Sequence, residues 1–237
     1  MTIALYHTDS FAREMDAVVT AVEDDRVALD RTVFYAQSGG QPADHGVLRW
    51  DGGEARVVDV RRAGEEIWHR LDGALPPVGA QVHGALDWER RYALMRAHTA
   101  LHILCGVIWR DYGAPVTGGA MEPGSARMDF ELERMSADFA AEIEARANAE
   151  VAADRAIRVR VLPRAEAFAI PDLIRTKINL LPEGIEQVRT VEIVGLDLQA
   201  DGGTHVGHTA EIGRIRVTGH ESKGRINKRL RLAIENA

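Results

Sequence analysis

The chain has 237 residues, 46% of them hydrophobic, and its 36 acidic against 29 basic side chains leave a formal net charge of -7. That is enough chain for a sizeable core in one large or two modest domains, and the acidic balance excludes a protein that coats nucleic acid indiscriminately, because such binding is mostly phosphate neutralisation. No stretch approaches the roughly 18 to 20 unbroken apolar residues of a membrane span, residues 1–9 lack the order of a signal peptide, and the single cysteine, Cys105, has no partner for an internal disulfide, so a cytoplasmic protein without a membrane partner is expected.

Short strands are expected first, over residues 17–22, 26–29, 47–50, 55–60 and 67–70, punctuated by Ser38-Gly39-Gly40-Gln41-Pro42, Asp51-Gly52-Gly53 and Pro76-Pro77-Val78-Gly79. This spacing predicts a small all-β barrel or sandwich over residues 1–87. From Asp87 the period becomes helical: Leu94, Ala97, Leu101, Leu104 and Ile108 mark one apolar face of a helix running to about Tyr112 and opening a second domain, 88–237. A strand at 126–132 follows, then an Ala/Glu-rich helix to about Asp154 with Ser136 as its N-cap. A strand at 157–162, a short helix beginning near Arg164 and strands at 187–194 and 212–218 complete the reading. Without a regular βαβ alternation, an α+β fold with a largely antiparallel sheet is the expectation.

Two clusters carry chemistry. His98 and His102 lie four apart in the strongest helix, hence one turn apart on one face, where two imidazoles can converge on one metal ion. Thr99 stands where a zinc protease has glutamate, which disfavours that class. Asp201-Gly202-Gly203-Thr204-His205 falls in a loop between strands, where paired glycines allow a tight turn and Asp201 and His205 offer an oxygen and a nitrogen. Together the four make a tetrahedral zinc set, and Thr99 and Thr204 are small hydroxyl residues beside it. A chance helical pair and an ordinary tight turn are the plainer readings of each cluster alone. Cys105 shares the helical face but lies about 10 Å from His98 along the axis, and reads as a buried core thiol. His208 is a spare nitrogen near the loop.

The His98-x-x-x-His102 helix and the Gly202-Gly203-Thr204-His205 loop resemble the metal half-sites of the editing domain of alanyl-tRNA synthetase and its free-standing AlaX-type relatives; threonyl-tRNA synthetase has a related domain. Residues 32–44, centred on Ser38, Gly39, Gly40 and Gln41, resemble the family's glycine-rich motif, and residues 223–231, with Lys223, Arg225, Lys228 and Arg229, resemble its basic closing strand. The resemblance implies a metal-dependent aminoacyl-tRNA deacylase with one zinc ion, acting on tRNA(Ala) that carries serine or glycine. Thr99 and Thr204 would be catalytic candidates, and the glycine motif and basic tail would bind substrate or tRNA. No segment resembles the synthetase's adenylate-forming domain. The family usually has cysteine where this chain has Asp201, and residues 117–119 lack the glutamine expected of the synthetase pocket. A hard carboxylate for a soft thiolate lowers the preference for zinc. It keeps two alternatives open, a non-catalytic tRNA-binding module and a metal hydrolase of another ester.

Overall fold

A computed structural model describes residues 1–177, 181 and 184–236. They form two compact units, Met1–Leu94 and Met95–Ala237.

In the first unit, β1 (Ile3–Ala4) leads through a 3-10 turn at Leu5–His7 to β2 (Glu14–Glu23), β3 (Arg26–Leu29), β4 (Arg31–Thr32), β5 (Gly46–Trp50), β6 (Gly53–Ala63), β7 (Glu66–Gly73) and β8 (Gln81–Leu86). Six of these close a barrel in the order β2-β3-β7-β6-β5-β8, while β1 pairs in parallel with β4. The alternation in the sequence is the cause: Met15, Ala17 and Val19 of β2 point inward with Leu48, Val57, Val60, Ile67 and Val82, and polar neighbours face out. Each of these side chains larger than alanine contributes about 1.5 to 3 kcal/mol by burial. Register shifts at Val19/Ala21 and Val57/Asp59 mark the bulges that bend β2 and β6 round the closure. The five expected strands are all present, and closure decides for barrel over sandwich. Strand β8 was not anticipated from sequence, because Gly84 interrupts its alternation; that glycine faces Met15, Leu48 and Phe34, where a Cβ has no room.

The glycine-rich motif is a crossing anchored at both ends. Gly39 and Gly40 have φ of 56° and 85°, and Ser38 and Gln41 exchange main-chain hydrogen bonds of 3.2 and 2.8 Å, which makes a tight hairpin of the kind that needs two left-handed residues. Ser38, Gly39 and Gly40 are exposed, and Gln41 is buried. Below the turn the amide of Tyr35 donates to Asp44, which pairs with Arg91.

Helix α1 (Trp88–Tyr112) runs through the division between the units, whereas the sequence reading began a new domain at its start. The second unit continues with β9 (Val116–Glu122), β10 (Ser125–Glu131), α2 (Ala137–Ala152), β11 (Ile157–Pro163), α3 (Arg164–Phe168), β12 (Gln187–Ile193), β13 (Asp197–Ala200), a 3-10 turn at Thr209–Ile212, β14 (Arg214–Ser222) and β15 (Asn227–Glu235). The antiparallel β-structure is divided into a four-stranded sheet, β14-β15-β10-β9, and a three-stranded one, β11-β12-β13. Ser136 caps α2 as expected, its Oγ accepting from the amide of Phe139 at 3.1 Å. The helix buries Ala140, Ile143, Ala147 and Val151 and is tied to β14 by Asn148, whose amide bonds both main-chain groups of Ile215. Where the spacing suggested one apolar face for α1, residues 97–108 are buried all round. A helix enclosed on every side can hold histidines only if they are matched by other buried groups. No helix among the described residues is long and apolar enough to cross a membrane.

Candidate metal centre

His98 and His102 sit in the enclosed part of α1, and Asp201 and His205 in the loop after β13; one potential ligand atom from each lies within 4.8 Å of all the others. The three imidazole rings are 4.3 to 5.2 Å apart between centroids. Asp201 lies between two of them, its carboxylate oxygens 3.5 Å from His98 Nε2 and 3.0 Å from His205 Nε2. The loop holds this shape locally, because Asp201 Oδ2 also accepts from the amide of Gly203 at 2.7 Å. Arg189 braces it from β12, donating to the Asp201 carbonyl at 2.9 Å with the carboxylate 3.7 Å away.

Three of the four protonation states suit a cation. Burial pushes His98 well below its ordinary pKa against the pull of Asp201, and lowers His205 to about 4 despite its hydrogen bond to the same carboxylate. Burial opposes the charge of Asp201, yet His98 and the hydrogen-bonded His205 hold its carboxyl well below the usual range. Burial lowers His102 too, but the hydrogen bond and charge of Asp197 outweigh it and raise the group. Neutral His98 and His205 with an ionised Asp201 are the donor states a divalent cation requires, whereas His102 must give up a proton that Asp197 favours. A set of three nitrogens and one oxygen fits zinc, among other divalent ions.

Further side chains orient these four. His102 Nδ1 lies 3.1 Å from Asp197 Oδ2, so a proton on Nδ1 turns Nε2 toward the cluster. Asp197 is held in turn by Gln199 Nε2 at 2.6 Å and by Arg175, which stands 3.6 Å away and stacks on Trp109. Gly106 makes this possible: one turn after His102, a Cβ there would meet Leu196 at 2.9 Å and Asp197 at 3.0 Å. Thr99 does the same for His205. Its hydroxyl donates to the Met95 carbonyl at 2.8 Å, leaving its lone pairs for His205 Nδ1 at 3.1 Å and the amide of Val206 at 3.3 Å. That arrangement sets His205 Nδ1 toward Thr99 and its Nε2 toward the cluster, 3.0 Å from the Asp201 carboxylate. Asp197 escaped the sequence reading because Gly195-Leu196-Asp197 looks like any turn; its offset from the ligand loop is the only signal, and it is a weak one.

Two family models match the chain, tRNA synthetases class II (A) over residues 3–90 and the threonyl and alanyl tRNA synthetase second additional domain over residues 188–231. The alanyl-tRNA editing protein AlaX-M of Methanosarcina barkeri is 40% identical over 97% of this chain and 98% of its own length, and that of Saccharolobus solfataricus matches equally well. The chain belongs to the alanyl-tRNA editing protein family. It is also 41% identical, over 91% of its length, to the alanine--tRNA ligase of Pyrobaculum neutrophilum, of which it covers 25%.

For a member of this family the remaining sequence candidates are distributed unevenly. Thr204 is fully buried next to His205, as is Thr99. His208 lies outside the cluster, exposed, with Nδ1 3.3 Å from Asp154. Cys105 is a buried core thiol as expected, its pKa raised by burial. In the basic tail, Lys223 and Arg225 are exposed, whereas Lys228 is buried and donates to Ser222 Oγ and the carbonyls of Gly224 and Arg225 at 2.6 to 2.9 Å. Arg229 makes a bidentate pair with Asp129 on β10 at 2.6 and 2.7 Å. These two cations stitch the sheet, so Lys223 and Arg225 are the tail residues of that set left open to solvent.

Proposed function

We propose that this protein is a trans-editing aminoacyl-tRNA deacylase that hydrolyses tRNA(Ala) mischarged with serine or glycine, using one zinc ion held by His98, His102, Asp201 and His205. The observation that carries the reading is the convergence of those four side chains in a chain related end to end to alanyl-tRNA editing proteins. The physical need is clear: a synthetic site shaped for alanine gains only about 1 to 3 kcal/mol against glycine, which lacks one methyl, so a separate hydrolytic site must remove the error. When bound, the ion supplies a Lewis acid that polarises the ester carbonyl or lowers the pKa of water.

The chain's own residues do the rest. Asp197 and Thr99 hold the His102 and His205 rings with Nε2 inward, and Thr99 is a positioning residue in this account. Asp201 would hold the ion together with the three histidines, and Arg189, bonded to its carbonyl at 2.9 Å and 3.7 Å from its carboxylate, would offer that carboxylate a second partner. Thr204, buried beside His205, is a candidate substrate contact, and the exposed Ser38, Gly39 and Gly40 with Lys223 and Arg225 are assigned to tRNA, whereas the wholly buried Gln41, offered by the sequence for the same role, holds the turn that presents them. The test is release of amino acid from Ser-tRNA(Ala), Gly-tRNA(Ala) and Ala-tRNA(Ala) by metal-quantified protein and by His102→Ala. Release of serine or glycine but not alanine, lost in the variant, is expected. A metal-loaded wild type that binds tRNA without releasing either would make the protein a binding module; release from unrelated esters alone would make it another hydrolase.

A further inference from the structure

The segment 155–164 contains four arginines and no acidic residue in a chain of net charge -7. Two of the four are accounted for: Arg155 pairs with Glu150, and Arg164 caps the Phe168 ring and bonds the Ile185 carbonyl. Arg158 and Arg160, on β11, have no ion pair or side-chain hydrogen bond among the described residues. Strand β11 is the edge of its sheet, and residues 158–161 are exposed on both faces, with Val159 at 41% and Val161 at 52%. Buried strands hide their valines; this one shows them.

The register ties this strip to the metal centre. Val161 lies across from Arg189, which holds Asp201, and Val159 lies across from Val191, itself opposite Gln199, which holds Asp197. Directly opposed residues share a face, so two rows run from the groups that brace the ligands to the exposed valines, over at most two strand spacings of about 5 Å each. A second copy of this chain pairing at the edge would bring the arginines of both copies together, which like-charge repulsion opposes. A polyanion that also offers flat apolar faces satisfies both residue types, and a strip four residues long suits a single strand better than a duplex.

We propose that residues 158–161 are the RNA surface of the metal centre and receive the single-stranded 3′ end of an aminoacyl-tRNA, terminal bases against Val159 and Val161 on the face of Arg189 and Gln199, and phosphates passing over the open strand edge to Arg158 and Arg160, which project on the other face. The inference rests on the editing reading, since an ester at the ligand cluster brings the terminal nucleotides with it. The experiment is uncharged tRNA(Ala) binding across a salt series, for wild type, the double variant Arg158→Gln/Arg160→Gln, and Val161→Ser. Loss of two phosphate contacts on a single strand should weaken binding about tenfold or more at low salt and flatten the slope of log K against log salt by about 1.4. Val161→Ser should weaken binding with the slope unchanged, and both variants should raise KM for deacylation more than they lower kcat. Wild-type affinity and slope in the double variant would overturn the proposal, and new self-association on gel filtration with unchanged tRNA binding would assign the arginines to guarding the edge instead. If the wild type binds tRNA through this strip yet deacylates nothing, the editing reading fails and the surface stands.

Discussion

Two buried polar constellations sit in the two units and differ in how they are satisfied. In the barrel unit, Arg91 and Asp44 are wholly inaccessible; Arg91 Nε reaches both carboxylate oxygens at 3.0 and 2.9 Å, and its other nitrogens donate to the carbonyls of Ser10 at 3.0 Å and Val33 at 2.6 Å. Asp44 also accepts from the amide of Tyr35 at 2.7 Å. Protein atoms alone complete that set. In the second unit three imidazoles and a carboxylate turn toward one another within 4.8 Å, with His102 and His205 backed by Asp197 and Thr99 so that their other ring nitrogens point inward. The first arrangement is a lock and the second is a socket, and burial alone does not tell them apart; the direction of the lone pairs does.

The largest effect that separates them is on stability. Asp44→Ala strands a buried guanidinium and should cost about 3 to 5 kcal/mol in denaturant unfolding, while His102→Ala, measured on metal-free protein, should cost far less. Equal losses would erase the distinction. Acid sharpens the comparison at a third buried group, His69 of the barrel, whose Nε2 is 2.8 Å from Thr32 Oγ1 and whose pKa burial lowers to about 4. A folded-state pKa below the unfolded value of 6.5 favours the folded form fully above pH 6.5, and that contribution is lost as pH falls from 6.5 toward 4. The loss is about 3 kcal/mol, and His69→Gln should flatten that part of the stability profile; an unchanged profile would count against it. On the socket side, Asp197→Asn should leave the fold intact and weaken zinc binding roughly 10- to 100-fold in a competition titration. Unchanged affinity would reduce Asp197 to a packing residue. Smallest is Gly39→Ala, where no atom lies within 4 Å of the added Cβ but φ is 56°; about 1 kcal/mol of lost stability, from backbone strain alone, should appear in thermal unfolding.

What was legible in the sequence follows the same division. Five of the six strands that close the barrel and the cap at Ser136 were readable because period and hydroxyl placement are local signals. The four cluster residues were readable because a one-turn spacing on a helix and a Gly-Gly loop are local too. Strand β9 was not, since Gly118 and Gly119 break its alternation, and neither was the division of the second unit's strands into two sheets, which depends on pairing partners far apart in the chain. The supports of the centre were hidden for the same reason: Asp197 is 95 residues from His102 and Thr99 is 106 from His205, contacts that only folding brings about. The roles of Lys228 and Arg229 could not be read from charge, because a basic tail looks the same whether its cations face solvent or Asp129.

Whether the socket is a hydrolytic metal centre is read most directly from Ser-tRNA(Ala) deacylation by chelator-stripped protein during stepwise zinc addition. A hydrolytic zinc centre gives no activity in the stripped protein, a rise that ends at one equivalent of zinc, and no recovery in His102→Ala. Full activity in protein shown to contain no metal would contradict it.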